Sequence, residues 1–495
     1  MSPHRSRFGR AALVLPVVAA FAPAQKDGDP RITDGIRGVF QGRSEVDVRQ
    51  GAEVLLAVGS AKAIEPLLKV LNGPQPHHRD IVWEVLPKFS DVYARKRVEQ
   101  ELKSNSKSPE VREWCAELLG SYGDAAFAGT LQRALSDQAI GVQRAAVRSL
   151  GQLRFSGATA ELVRISGRAD LHLRTLALEA LARIDPKAHE GRFLAGLADR
   201  DGGVRCALLG TLAEVYPAHA ESRSLAMLTD PDWRPRMQAI DNLGAIQTRA
   251  AVEGLIRALG DGRPAVAERA RQRLEKLTGQ KFWMQAQWQA WWKDHADEFS
   301  FAAASRPTDS RPASSRTVST YNGIEITSDH VAFLIDRSRD MAVTLRAKNC
   351  PKEDAAQQEL QTVLAGLQGR LTFNLFTYAE EVQALAKKPL PLDKPAQARA
   401  LAFVKQHPLE GNKNIWQALA EVVDNPELDT VFLLSSGEPE VGLYVHWNRV
   451  TEHLRELNRF HKVVVHTVAY SHSKWFRDQL EKIAEVTGGR FQWFE

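Results

Sequence analysis

In the first half of the chain, apolar residues recur at the spacing of one helix face, and the whole pattern then repeats. In VQRAAVRSLG, Val142, Ala145, Ala146 and Leu150 fall on one stripe of an amphipathic helix. Equivalent segments close on Leu119, Leu150, Leu181, Leu212, Leu243 and Leu274, each step being 31 residues. Two weaker copies end at Leu56 and Leu86. A second apolar helix precedes each stripe, as in AIEPLLKVL from Ala63 and AVEGLIRAL from Ala251, with turn signals such as Ser136-Asp137 between the two. A two-helix unit cannot bury its apolar face alone, so neighbours must stack, and the pattern predicts a superhelical solenoid with an extended concave surface.

After residue 320 the period changes. Short apolar runs of buried-strand type appear at 330–336, 371–378, 430–436 and 462–470, alternating with amphipathic helices around 352–368, 394–406, 414–424, 446–458 and 474–486. That alternation predicts a mostly parallel sheet covered on both faces, a doubly wound α/β domain. Its functional crevice is expected beyond the carboxyl ends of the strands. Between the halves, AAASRPTDSRPASSRTVST has linker composition.

The helix pairs, with Val-Arg opening the second helix, resemble the HEAT family and notably its short-repeat branch, which includes bilin lyase subunits. The resemblance spans residues 43–277 and implies an armadillo-like helical superhelix. A basic residue recurs at Arg49, Arg79, Arg112, Arg174, Arg205 and Arg236. A phosphate-binding ladder is one reading. The favoured one has each arginine tying inter-helix turns together through aspartates a few residues upstream, such as Asp137, Asp170, Asp201 and Asp232. Trp283, Trp288, Trp291 and Trp292 crowd into 278–301, where they are expected to cap the open end of the solenoid.

Composition narrows the classes. The formal charge is +5, and Arg5, Arg7 and Arg10 supply three of those charges. They belong to residues 1–24, which have the basic start, short apolar run and Ala-Pro-Ala exit of a secretory signal. The remainder is nearly balanced, so no nucleic-acid partner is expected. No integral membrane segment is expected after cleavage, which points to a bacterial periplasm, cell surface or secreted location. Residues 25–42 read as an extension and 302–327 as a flexible linker. Cys115, Cys206 and Cys350 are odd in number and lack Cys-x-x-Cys spacing, which argues against a disulfide framework and a cysteine-based structural zinc site.

The segments VAFLIDRSRDM, GNKNIWQAL, FLLSSGEPEVG, VVVHTVAY and IAEVTGGRF resemble the von Willebrand factor A-type domain across residues 328–495. The resemblance implies a metal-ion-dependent adhesion site, in which an Asp-x-Ser-x-Ser turn, a Thr and a later Asp place oxygens around Mg²⁺. Asp336 and Ser338 match that pattern. Asp340 stands where the second Ser is expected, Lys413 where the Thr is, and Ser436 where the later Asp is. An ammonium cannot ligate a cation, so the favoured reading is metal-free, with Lys413 pairing with Asp336 and Asp340. A competing reading keeps Mg²⁺ on Asp336, Ser338 and Asp340 with Lys413 swung outward, and a third treats the site as decayed.

No catalytic motif emerges: there is no His-Glu-x-x-His, no phosphate-binding Gly-rich loop ahead of a helix, and no nucleophile elbow served by a histidine. His446, His453, His461, His466 and His472 read as ordinary surface or partly buried residues. The chain is therefore expected to be an exported, non-enzymatic protein-binding or adhesion scaffold of two linked interaction modules. The alternatives are an enzyme or subunit of the HEAT-like lyase type, and a Mg²⁺-dependent adhesion protein.

Overall fold

The computed structural model describes residues 28–104, 108–301, 319–367 and 371–495. The expected signal over 1–24 and residues 302–318 of the expected linker lie outside them. From Arg31 to His295 the described chain is helical, and the six leucines that mark the period are all buried. Successive second helices stack directly: Pro109–Ser121 lies on Ile140–Gln152, which lies on Leu171–Ile184.

The recurring arginines form the expected ladder between turns, but with downstream aspartates, of which only Asp137 was among those expected. Arg112, Arg174, Arg205 and Arg236 pair with Asp137, Asp199, Asp230 and Asp261, each 25 residues downstream, at 2.6–2.9 Å. The upstream aspartates Asp170, Asp201 and Asp232 are engaged elsewhere, since each caps a helix by accepting a backbone N–H. Arg205 and Arg236 also donate to carbonyls six residues upstream, of Asp199 and Asp230. One guanidinium thus joins its own turn to the next, which is why the residue recurs with the period.

Two boundaries differ from expectation. Within the expected extension, Arg31–Gln41 is a helix packed on Glu45–Val58. The approach is so close that a Cβ on Gly38 would lie 2.7 Å from the Cα of Gly51. Within the expected linker, Thr320–Tyr321 pairs with Ile324–Glu325, and Tyr321 is fully buried against Phe333 and Phe432. The α/β core recruits that ring, so the domain starts before residue 328. At the other junction, Trp288 and Trp292 are buried against the last repeat.

Numbering the α/β domain by itself, the sheet contains β1 (His330–Asp336), β2 (Thr372–Tyr378), β3 (Val382–Ala384), β4 (Leu390–Pro391), β5 (Thr430–Ser435), β6 (Val464–Tyr470) and β7 (Phe491–Phe494). The order is β7-β6-β5-β1-β2-β3, with β4 also on β2; the first five are parallel and the last two antiparallel. Helices α1 (Lys352–Gly366), α2 (Lys394–Gln406), α3 (Ile415–Val423), α4 (Trp447–His461) and α5 (Lys474–Thr487) cover it. Two apolar clusters, one on each face, make it the two-sided sheet that the apolar runs require. The chain leaves β1 in one direction to β2 and returns on the other side at β5, so the strand order reverses between β1 and β5.

The two halves are packed together. Helix α4 lies along the face built by the second helices of the repeats. Its first turn has no side-chain cap, and solenoid Asp80 accepts from Val445 N and His446 N just ahead of it, both at 2.8 Å. Along it, Arg148 pairs with Glu456 at 2.8 Å, Arg459 bonds Glu179, and the His172 and Phe460 rings meet edge-on. At its end, Cys206 donates to Arg459 O and Lys462 pairs with Asp241 at 3.0 Å. An anion at the first turn and cations near the last complement the helix dipole. Gly488, at φ +80°, sits where any Cβ would collide with the Arg269 guanidinium.

Candidate functional site

The reversal point brings together all five residues that the adhesion-site resemblance singled out. Asp336 terminates β1 and is completely buried. Its Oδ1 accepts from Ser338 N at 2.8 Å, and its Oδ2 from Ser436 N at 2.8 Å and Ser436 Oγ at 2.6 Å. The turns after β1 and β5 are therefore tied through one carboxylate. Ser338 Oγ and Ser436 Oγ lie 3.4 Å apart. Lys352, at the start of α1, donates to Ser436 O at 3.2 Å, and burial lowers its pKa from the ordinary lysine value.

Above this layer lies Lys413, on the loop before α3 and only 2% exposed. Its Nζ donates to Asp340 Oδ2 and Glu440 Oε2, each at 2.7 Å. Lys413 also exchanges backbone contacts with Glu440: its N–H donates to Oε2 at 3.2 Å, and its carbonyl accepts from Glu440 N at 2.9 Å. Burial alone would lower the pKa of this ammonium, but the two carboxylate bonds outweigh burial and raise it. The expected partner Asp340 is present, whereas Asp336 is not bonded to the lysine. The serine and backbone donors already fill Asp336, and Glu440 takes its place.

Glu440 and Lys352 are the two site residues that the sequence reading missed. Glu440 lies inside FLLSSGEPEVG, and its spacing from Lys413 carries no periodic signal. Arg337 is also buried beside the turn, donating to Glu353 Oε1 at 2.7 Å and to His407 O at 3.0 Å through Nε. It clamps α1 against the loop after α2. The assembled surface presents Asp340 and Glu440, about half exposed, over a filled interior.

Fold and site together define the class: a helical-repeat solenoid joined to a doubly wound α/β domain with a closed ion pair at its strand ends. The family model for HEAT repeats matches residues 96–182 and 191–275 of the solenoid, and the second half resembles the von Willebrand factor A-type domain. The human von Willebrand factor A domain-containing protein 3A is 28% identical over 121 residues, or 24% of this chain and 10% of that protein. The chain thus spans a tenth of the length of this relative. Among solved structures, a von Willebrand factor type A protein from Catenulispora acidiphila is 17% identical, covering 35% of this chain and 40% of that one at a TM-score of 0.29. The CpcE–CpcF complex of phycocyanin lyase from Nostoc is 20% identical, covering 43% and 87% at a TM-score of 0.27. Both kinds of domain are protein-interaction modules. No helix among the described residues is long and apolar enough to cross a membrane.

Proposed function

We propose that this chain is an exported, non-enzymatic scaffold that binds a protein partner through the strand-end surface of its α/β domain, without a divalent ion. The observation that carries this reading is the Lys413 ammonium 2.7 Å from both Asp340 and Glu440. The donor set fits Mg²⁺ poorly. Both Asp336 oxygens are already bonded to N–H and O–H donors, and a fixed cation stands beside Asp340. At about 4 Å, unit charges interact by roughly 4 kcal/mol at an effective dielectric near 20, so the lysine disfavours an approaching ion. With α4 covering the second-helix face of the solenoid, the strand-end surface and the opposite solenoid face remain for partners.

Capture of proteins from an extracytoplasmic fraction by the full chain tests this. The same partner should be retained with and without EDTA, and an Asp340→Lys, Glu440→Lys variant should lose it. Capture abolished by EDTA would refute the metal-free reading, and capture indifferent to the charge reversal would refute the surface.

A further inference from the structure

Away from the strand ends, a cluster of ligating side chains sits at the seam between the two halves. Glu45 opens the helix Glu45–Val58, His77 lies in the first turn of Pro76–Val85, and His446 immediately precedes α4. Each can offer one ligand atom, and these three atoms lie within 4.8 Å of one another. His77 Nδ1 is 2.7 Å from Glu45 Oε1, and His446 Nε2 is 3.7 Å from Glu45 Oε2.

We propose that Glu45, His77 and His446 form a binding site for a divalent transition ion of the zinc class, which staples the first repeats to the α/β domain. Three observations carry it. First, His77 Nδ1 and His446 Nε2 are buried nitrogens that make no hydrogen bond of acceptable geometry, although each faces the Glu45 carboxylate. A buried ring nitrogen without a partner is costly unless something occupies its lone pair. Second, the other nitrogen of His446 faces Glu84 at 3.7 Å, and Glu84 is itself held by Arg49 at 2.6 Å. At 3.7 Å the two are not yet bonded, but a carboxylate placed there can fix the tautomer and aim the other nitrogen once the ring settles on an ion, which is the usual outer support of a zinc ligand. Third, His446 is anchored through its backbone N–H by Asp80, while Glu45 is about half exposed and His77 a third exposed. The buried ligand is fixed, and the two outer ones can close onto an ion arriving from solvent.

Two imidazoles and a carboxylate suit zinc or its neighbours rather than Mg²⁺. Zinc bonds of about 2.0–2.2 Å place tetrahedral donors roughly 3.4 Å apart, so the 2.7 Å His77–Glu45 pair must open slightly while the wider separations close by about an ångström. Three protein ligands leave a fourth position for water or for a side chain of a partner. The absence of paired cysteines, which argues against a thiolate zinc site, does not bear on this donor set. The contrasting cluster, Asp329, His330 and Asp429, carries no such inference. There Asp429 already accepts from Arg263, Ser328 and Thr430, and His330 is bonded to Asp329. This proposal is independent of the strand-end reading, because it uses none of the same residues.

The test is Co²⁺ titration of the chelator-treated full chain, followed by optical spectroscopy and a Zn²⁺ melting series. One equivalent of Co²⁺ should give the intense visible bands of a four-coordinate ion, Zn²⁺ should abolish them, and Zn²⁺ should raise the melting temperature. Glu45→Gln and His77→Ala, both at outer positions, should remove the bands and the melting shift while leaving the apo melting temperature unchanged. Glu84→Gln should weaken Co²⁺ about 10-fold through its positioning role. The proposal is overturned by a wild-type chain that gives no bands or only the pale spectrum of a six-coordinate ion. Outer variants that bind with unaltered spectrum and affinity would overturn it equally.

Discussion

Two aspartates, Asp336 and Asp429, are both fully buried at opposite ends of the same sheet. Asp336 is satisfied entirely within its own domain, by Ser338 and Ser436. Asp429 is satisfied only in part: Ser328 and Thr430 serve Oδ1, while Oδ2 accepts from Arg263 of the solenoid at 2.5 Å. A buried carboxylate needs compensation wherever it lies. The strand-end turn is thus a closed unit, whereas the base of the sheet borrows its cation from the other half of the molecule. The two halves fold as partners, and the second-helix surface that a solenoid offers to others is here given largely to α4.

The largest expected effect falls on the borrowed charge. Arg263→Met removes the guanidinium that lies over the Trp233 ring and leaves Asp429 without its cation, and should cost about 3–5 kcal/mol in urea unfolding. Adding Asp429→Asn should recover most of that loss. A cost below about 1 kcal/mol would erase the distinction between the two aspartates.

Next comes a group buried without charge in the same sheet. His466 is buried in β6, stacks on Phe432 and accepts from Arg490 N through Nδ1, and burial holds its pKa down to about 3. The unfolded chain takes up a proton below the ordinary histidine value near 6.5, whereas the fold resists doing so until about pH 3. Stability from this residue is therefore complete above pH 6.5 and is lost as pH falls. Between pH 6.5 and 4 the loss should be about 3 kcal/mol, and urea midpoints of His466→Asn should show a correspondingly flatter pH dependence.

Within the solenoid, Arg205→Ala removes a two-pronged bond to the nearly buried Asp230 and should cost about 2 kcal/mol. Equal costs at Arg174 and Arg236, measured by the same unfolding, would establish the ladder as a repeated device. The smallest effect is expected at the strand ends. Lys413→Met frees two carboxylates that are 51% and 44% exposed, and water can replace the lysine for about 1 kcal/mol or less. Calorimetric titration of the wild-type chain should show no Mg²⁺ binding tighter than millimolar. Lys413→Thr with Asp340→Ser, which restores the hydroxyls of the adhesion pattern, should gain it.

Much of this molecule is legible in its residues because much of it is local. A repeat touches chiefly its neighbours, so the 31-residue spacing of the buried leucines and the recurrence of one arginine follow from nearest-neighbour packing. Apart from Asp137, the partners of those arginines differ from expectation because two sets of aspartates share the same turns, one capping helices and the other bonding the preceding repeat. The four apolar runs appear as β1, β2, β5 and β6, since parallel strands buried on both faces leave continuous apolar stretches. The short edge strands β3, β4 and β7 lack that double burial and left no comparable trace.

By itself the sequence determines two architectures, because hydrophobic period is a local property, while the gathering of Asp336, Ser338, Asp340, Lys413 and Ser436 where the strand order reverses was implied by the family resemblance of their segments. Only the tertiary structure decides that Glu440 rather than Asp336 completes the lysine pair, that Asp80 holds the segment entering α4, that Arg263 neutralises Asp429 and that Glu45 and His77 face His446. Those contacts join residues up to hundreds of positions apart, each made once, and an interaction without repetition or fixed spacing leaves no pattern along a chain.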